Sequence, residues 1–392
     1  SRKRQRNRTM KPLYEWGTQQ IHKRHEELCG DSIEISRGSD KVTVALSDGL
    51  GSGVKANILA TLTTQIAMHL LENDLPLEDV VQTLTETLPV DKERKMAYST
   101  FAIAQFFSAG YARVVEFDTP GTILIRNQKA VELDYEEGLI EDKKIKTAYF
   151  DLEDGDWIVF VSDGVLNAGI GGVYPLGWGW EQASGFMEKK ANPNFSAGEF
   201  AKRIAETVEE LYAENIGDDV SIIVIKVRKK LIATILTGPP ENKERDEEEV
   251  RKFLEKSGKH AVCGGTTAKI VSRILGKPLE VDLNTMTGNV PPLGTIEGID
   301  LVSEGILTLT RVNSLLRAGV SKESVKYQVN GAANLIRLLL DSDSIHFLVG
   351  QAVNPAHQNP DLPDQLGIRT TIVREVAEEL KARGKEVTVQ TI

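Results

Sequence analysis

Cysteine is nearly missing from this chain. Only Cys29 and Cys263 occur, far apart and in no metal-type spacing, which fits a reducing cytoplasm. Long apolar runs are missing too. None approaches the roughly 20 residues needed to cross a bilayer, so no membrane span is expected. Positive charge is in deficit: 47 Lys and Arg face 57 Asp and Glu, a formal net charge of −10. That balance makes the body of the protein a poor nonspecific binder of nucleic acid. The exception is the extreme N-terminus, where Arg2, Lys3, Arg4, Arg6, Arg8 and Lys11 crowd together. A run of this kind reads as a solvated tail. No apolar core follows it, so it does not read as a signal peptide. What remains is ordinary for a soluble globular protein, 41% hydrophobic and 27% charged. A length of 392 residues suggests two domains.

Against this background one stretch stands out, Val42-Thr43-Val44-Ala45-Leu46-Ser47-Asp48-Gly49-Leu50-Gly51-Ser52-Gly53. It reads as an apolar strand ending in a carboxylate, then alternating glycines, then a helix over Val54–Leu71. Glycine lets backbone approach whatever Asp48 holds and permits a tight turn. A helix N-terminus beside the acid favours anions. The stretch alone fits either a metal-and-phosphate site or a plain strand-to-helix turn with a solvated Asp.

The pattern recurs. Asp31 opens an alternating strand around Ile33 and Ile35, and would meet Asp48 if the strands Asp31–Ile35 and Lys41–Ser47 pair as a hairpin. Trp157–Val161 is a strong apolar strand ending in Ser162-Asp163-Gly164, the same grammar as Ser47-Asp48-Gly49. Gly217-Asp218-Asp219 opens the strand Val220–Val227. Ser196 and Glu199 have capping-box spacing at the start of a helix over Ala197–Tyr212. Helices are expected over Val54–Leu71 and Leu77–Leu88, and strands over Ser99–Phe107, Ala112–Asp118 and Thr122–Asn127. The sum predicts a β-sandwich flanked by helices. A lone Asp at a strand end is more often a turn former. Four such sites that converge would repel one another and persist only if cations neutralise them. All-oxygen ligands point to Mg²⁺ or Mn²⁺, and the absence of histidine from these motifs argues against zinc.

Over roughly residues 20–228 the chain resembles the metal-dependent PPM (type-2C) protein serine/threonine phosphatases, within them the SpoIIE-type branch. The residues that carry the resemblance are Cys29-Gly30-Asp31-Ser32, Ser47-Asp48-Gly49 to Gly53, Tyr98-Ser99-Thr100, Gly155-Asp156, Ser162-Asp163-Gly164-Val165 and Gly217-Asp218-Asp219-Val220-Ser221. The resemblance implies two stacked sheets with a binuclear centre at one edge. Asp48 would bridge two Mn²⁺ or Mg²⁺ ions and the Gly49 carbonyl would reach one. Asp163 and Asp219 would serve the other, Asp218 being the lesser candidate of its pair. Asp31 would bind directly or through a water. Two such ions activate a water for in-line attack on phosphorus, without a phosphoenzyme. No arginine before the first motif clearly matches the phosphate-binding arginine of the eukaryotic members, Arg24 being the nearest. In that branch the helices after the Asp-Gly motif act as a switch; the alternative is that they only cover the sheet. The resemblance further implies a phosphoprotein substrate, by analogy an anti-sigma-factor antagonist-like protein, and a homodimer formed through those helices.

Beyond Arg228-Lys229-Lys230 the rhythm changes to alternating strands and helices, which argues for a smaller Rossmann-like α/β domain. Strands are expected at Leu231–Leu236, His260–Val262, Ile299–Val302, Ile345–Val349 and Glu386–Thr391. Helices are expected at Glu244–Leu254, Ala268–Leu275, Ile306–Leu316, Glu323–Leu340 and Arg369–Ala382. The turn Cys263-Gly264-Gly265-Thr266-Thr267 has the strand–glycine–helix layout that binds anions, although it is neither a dinucleotide fingerprint nor a P-loop. A small anion or nucleotide near it, a protein-docking surface, or a capped βα turn all fit. Glu304 and the loop Gly350–Gly367, with Asn354, His357 and Asp361, would gather at the same sheet edge.

The expected organisation is a basic tail over 1–19, a PPM/SpoIIE-type phosphatase domain over 20–228 and a regulatory or ligand-sensing α/β domain over 229–392. The expected activity is a cytoplasmic protein serine/threonine phosphatase, with no nucleic-acid or membrane partner. The competing readings are a catalytically silent signalling scaffold and a hydrolase of small phosphate esters.

Overall fold

The structure, a computed structural model, describes residues 12–392 apart from 52, 74, 88–89, 92–95, 98, 141–142, 214, 283–292 and 353–364. The basic cluster from Arg2 to Lys11, Ser52, Tyr98, and the loop residues Asn354, His357 and Asp361 lie outside the described residues. The chain divides into two compact units, one ending at Lys229 and the other beginning at Lys230.

The first unit holds two large antiparallel sheets and a short antiparallel pair, Val90–Asp91 with Met96–Ala97. One has five strands in the order Pro12–Ile21, Val220–Lys229, Trp157–Val161, Ile123–Arg126, Lys129–Val131. The other has six, in the order Tyr135–Ile140, Lys143–Asp151, Tyr111–Phe117, Phe101–Phe107, Lys41–Asp48, Asp31–Arg37. Side-chain alternation explains their stacking. Val42, Val44 and Leu46 point into a shared core with Ile158, Phe160 and Ile223 of the facing sheet, where Phe106 and Phe160 meet edge to face at 6.4 Å. Ala45 points the other way, into a cluster with helices Gly53–Glu72 and Leu77–Thr87. The five-stranded sheet is covered on its outer face by helices Gly179–Lys190 and Ala197–Tyr212. Central strands therefore have two buried faces, which is why Val42–Leu46 reads as continuous apolar sequence. The capping box forms: Ser196 Oγ accepts from Glu199 N at 3.1 Å, and Glu199 Oε2 accepts from Ser196 N at 2.7 Å.

The second unit is a seven-stranded sheet. Its order is Glu280–Asp282, Leu293–Thr295, Leu301–Ser303, Lys259–Cys263, Ile232–Thr237, Ser344–Val349, Glu386–Thr391. The last five run parallel and the first two join antiparallel. Helices Ile306–Arg317, Gly331–Asp341 and Gln365–Ala382 pack on one face. Helices Asp246–Glu255 and Gly265–Leu275 pack on the other.

Two expectations change. The single helix over Glu323–Leu340 is instead a short 3-10 turn, Glu323–Val325, and a helix, Gly331–Asp341. The first ends at Lys326, and Asn330 caps the second, its Oδ1 accepting from Ala333 N at 2.9 Å. The hairpin Tyr135–Ile140 and Lys143–Asp151 has no counterpart in the sequence reading, because its charged outer strand is mostly exposed and lacks apolar alternation.

Strand Pro12–Ile21 passes beneath the start of helix Ala197–Tyr212 without room for a side chain. A Cβ at Gly17 would lie 2.4 Å from the Gly198 backbone, whereas one at Gly185 would meet nothing within 4 Å. Gly17→Ala is expected to destabilise the protein by about 1–3 kcal/mol. Gly185→Ala is expected to stabilise it by about 0.5–1 kcal/mol. Urea denaturation of both variants checks the pair; equal midpoints would contradict this packing.

Candidate active site

The acids sit at one end of the sandwich, where strands of both sheets terminate. Asp31 begins one strand and Asp48 ends its neighbour, and the two are direct cross-strand partners. Asp163 follows strand Trp157–Val161, and Asp218 and Asp219 precede strand Val220–Lys229. Between them opens a cleft of about 490 Å³ lined by Asp48, Asp163 and Asp218, with Gly49, Thr100 and the Asp118-Thr119-Pro120 turn also on its wall. Among the described residues no lysine or arginine lines it.

The repeated Ser-Asp-Gly triplet has one physical logic in both places. The serine ties the strand end to its neighbour. Buried Ser47 Oγ contacts Ser99 Oγ at 2.5 Å and donates to the Thr100 carbonyl at 2.6 Å, while Thr63 Oγ1 of helix Gly53–Glu72 donates to Ser99 Oγ at 3.1 Å. Ser162 Oγ accepts from Ser221 N at 2.8 Å. The aspartate then projects from a braced strand end. The glycine permits contact with no side chain between: a Cβ at Gly49 would lie 2.1 Å from the Ala56 carbonyl oxygen, and one at Gly164 would lie 1.9 Å from that of Asp219. Gly51 and Gly53 have φ of +103° and +69°, so the turn into the helix needs glycine for conformation.

The two acids of the Asp218-Asp219 pair do different things. Asp219 is buried, and each of its oxygens accepts a backbone N–H at 2.9 Å, from Lys23 and from Gly30. It latches the segment that leads into Asp31. Asp218 lines the cleft instead, touched by Asn167 Nδ2 at 3.4 Å and by the Asp219 amide at 3.0 Å. The sequence reading ranked the pair in the opposite order. It also passed over Asp118 to Pro120, whose only signal was a turn-forming Asp-Thr-Pro-Gly run. Arg24 is exposed, its amide bonded to the Ile216 carbonyl at 3.0 Å. The residues Cys263 to Thr267 belong to the second unit and border a different cleft.

The electrostatics are those of acids lacking a counter-charge. Burial, then the negative charges of Asp31, Asp163 and Asp218, push the Asp48 carboxyl up to about 10. Burial pushes Asp31 up to about 7; the hydroxyls of Ser221 and Ser162 ease it, and Asp219 and Asp163 oppose that easing. Neither hydroxyl completes a hydrogen bond, so both Asp31 oxygens are buried without a partner. Burial and then Asp163 raise Asp218. Among the described residues these acids are not drawn into a closed cage of three ligands. The donor set, all carboxylate, and the orphaned Asp31 oxygens nevertheless fit hard divalent cations.

The same shifts set a pH dependence. Without cations the folded state holds protons on Asp31 and Asp48 that the unfolded state releases near the ordinary value of 3.8. The folded state therefore binds more protons above that pH, and stability falls as pH rises towards about 7 for Asp31 and about 10 for Asp48. In EDTA the thermal midpoint is expected to drop from pH 5 to pH 8, with a smaller drop in Asp48→Asn and upon saturation with Mn²⁺. Differential scanning calorimetry across that range decides it; a wild-type midpoint that rises with pH in EDTA through the same slope as Asp48→Asn contradicts it.

Comparison with known proteins follows the same lines. Residues 38–228 match the family model for Stage II sporulation protein E (SpoIIE). Among solved structures, the chain is similar to the phosphatase domain of the cell fate determinant SpoIIE from Bacillus subtilis, in a crystal form without domain swapping. The identity is 17% over 56% of this chain and 94% of that one, with a TM-score of 0.42. A second structure, of the PP2C phosphatase domain and a fragment of the regulatory domain of the same Bacillus subtilis protein, shares 19% identity over 57% of this chain and 65% of that one, TM-score 0.48. A third, RsbX in complex with magnesium, shares 17% over 55% of this chain and 95% of that one, TM-score 0.40. No curated protein matches the chain. The family match stops at residue 228 and leaves the second unit unmatched. Residues 38–228 of this chain thus carry the SpoIIE domain that the family model describes.

Proposed function

We propose that the first unit is a Mn²⁺- or Mg²⁺-dependent protein serine/threonine phosphatase that hydrolyses phosphoserine or phosphothreonine on a regulatory protein. The observation that carries this reading is the convergence of Asp48, Asp163 and Asp218 on one cleft, with Asp31 as the cross-strand partner of Asp48, no basic side chain among the described residues of the wall and both Asp31 oxygens unpartnered. Asp48, Asp31, Asp163 and Asp218 are assigned to hold two cations, with the Gly49 carbonyl as a backbone donor. Asp218 replaces Asp219 in this assignment because Asp218 lines the cleft, whereas each oxygen of Asp219 already accepts a backbone amide. When bound, such cations lower the pKa of a water towards neutrality and offset the charge on the phosphoryl oxygens.

The chain's own residues supply position. Ser47, Ser99 and Thr63 keep the Asp48 strand end from yielding to the repulsion of its neighbours. Asp219 holds the lead-in to Asp31, and Thr100 and the Asp118–Pro120 turn form the wall against which a phosphorylated side chain would rest. The convergence of Asp48, Asp163 and Asp218 on one cleft, with Asp31 opposite Asp48, favours this reading over a silent scaffold. The second unit is assigned a regulatory or docking role in the same protein.

Asp218→Asn is expected to abolish Mn²⁺-dependent hydrolysis of p-nitrophenyl phosphate and of a phosphopeptide while the fold survives. Asp219→Asn is expected to lower stability by about 1–3 kcal/mol, because an amide can accept at only one end. Kinetics with and without EDTA, together with thermal unfolding of both variants, separate the roles. Full activity in Asp218→Asn, or in EDTA, would sink the two-cation assignment.

Helix Gly53–Glu72 exposes Val54, Ile58 and Leu62 by 59%, 51% and 49%, a stripe at one-turn spacing. We assign it to a second copy of the chain. Ile58→Glu is expected to shift the protein from dimer to monomer in analytical ultracentrifugation; a wild type that sediments as a monomer contradicts the assignment.

A further inference from the structure

The second unit contains its own cleft, of about 420 Å³, at the carboxyl ends of its parallel strands. Its place follows from topology. From Ile232–Thr237 the chain moves outward through Lys259–Cys263 to Leu301–Ser303, then returns to the other side of Ile232–Thr237 as Ser344–Val349. The segments after strand Ile232–Thr237 and after strand Ser344–Val349 start side by side, Gly350 N donating to the Thr237 carbonyl at 2.9 Å and Ala352 N to that of Pro239 at 3.1 Å, and the cleft lies at this carboxyl edge, where open α/β sheets bind ligands. The cleft volume lies within the roughly 300–1,000 Å³ typical of small-molecule sites.

Its lining is chemically divided. On one side helix Gly265–Leu275 begins at Gly264, whose φ of +132° excludes a capping side chain, and none caps the helix. The amides of Gly265, Thr266 and Thr267 have no acceptor among the described residues, and neither does the hydroxyl of Thr267, a residue only 2% exposed. By contrast, Glu304 on the same wall is consumed in capping its own helix, accepting from Leu307 N at 3.0 Å and Thr308 N at 3.3 Å. Two cations line the same cleft with no carboxylate partner among the described residues: Lys243, and Arg369, whose guanidinium donates to the Gly350 carbonyl at 3.1 Å. On the other side stands Asp246, 5% exposed. Its Oδ2 accepts from Arg273 at 2.9 Å, and its Oδ1 is buried with no partner. A buried acceptor of this kind carries a desolvation cost until a donor reaches it.

We propose that this cleft binds a small phosphate monoester that also carries hydroxyl donors, of the class of a mononucleotide or sugar phosphate. The phosphate sits on the Gly265–Thr267 amides, where the helix terminus and the charges of Lys243 and Arg369 favour a dianion. A hydroxyl of the ligand donates to Asp246 Oδ1. The site is separate from the carboxylate cleft of the first unit, whose acids repel anions.

Isothermal titration of the full chain, in EDTA so that cation-held phosphate at the first site does not contribute, tests the assignment with AMP, ribose 5-phosphate and inorganic phosphate. Wild type is expected to bind one or both esters more tightly than inorganic phosphate. Thr266→Glu places a carboxylate at the phosphate position, where a helix N-terminus tolerates it, and is expected to weaken the esters and phosphate about tenfold or more. Lys243→Met, at an exposed position, is expected to weaken all three several-fold. Asp246→Asn is expected to weaken the esters while leaving inorganic phosphate unchanged. Absence of binding by all three probes at millimolar concentration overturns the site. Binding indifferent to Thr266→Glu and Lys243→Met overturns the phosphate position. Equal affinity for esters and inorganic phosphate overturns the role of Asp246.

Discussion

Carboxylates that face one cleft repel one another, and the surrounding architecture is arranged to withstand that repulsion. In a partly buried site each negative charge favours protonation of its neighbours, and burial together with those charges holds Asp31 and Asp48 above the ordinary carboxylate range. Solvation cannot relieve it, because Asp31 is almost fully enclosed. The chain resists it with rigid backbone. Asp31 and Asp48 are locked opposite each other by strand register, Ser47 and Ser162 stitch their strand ends sideways, and Gly49 and Gly164 press directly on neighbouring backbone. Such a constellation is costly in isolation, and protons or cationic charge would offset that cost.

Helix Gly53–Glu72 is joined to the same constellation through polar contacts. Thr63 reaches the hydroxyl pair beneath Asp48, Thr64 pairs with Ser32 at 2.8 Å beside Asp31, and Asn57 Nδ2 donates to the Cys29 carbonyl at 2.8 Å. Any shift of this helix would strain the strand ends that carry both acids. The helix is thus tied to both strand ends by hydrogen bonds and by close backbone contact at Gly49.

Much of the fold was legible because apolar periodicity and punctuation agreed. Val42–Leu46, Trp157–Val161 and Val220–Val227 are buried on both faces, so their sequences read as strands without ambiguity. The capping box at Ser196 and the alternation of strands and helices beyond Lys230 were equally direct. Edge elements were not. The hairpin Tyr135–Asp151 and the antiparallel pair Glu280–Asp282 and Leu293–Thr295 are short or exposed, and take their conformation from the strands they join. The helix expected across Glu323–Leu340 failed because Asn330 caps more strongly than the apolar periodicity propagates.

The local sequence determined which residues could bear charge at the site: acids at strand ends, each followed or preceded by glycine, with serine beside them. It also determined that Gly51 and Gly53 would turn the chain, since their backbone conformation is a property of the residue. Tertiary structure alone decided what each acid does. Asp218 and Asp219 are chemically identical neighbours, yet adjacent residues at the mouth of a strand point in opposite directions. One direction meets the amides of Lys23 and Gly30, nearly 200 residues away in sequence, and the other meets the cleft. No local pattern distinguishes them, because the difference lies in which distant backbone folds against each side.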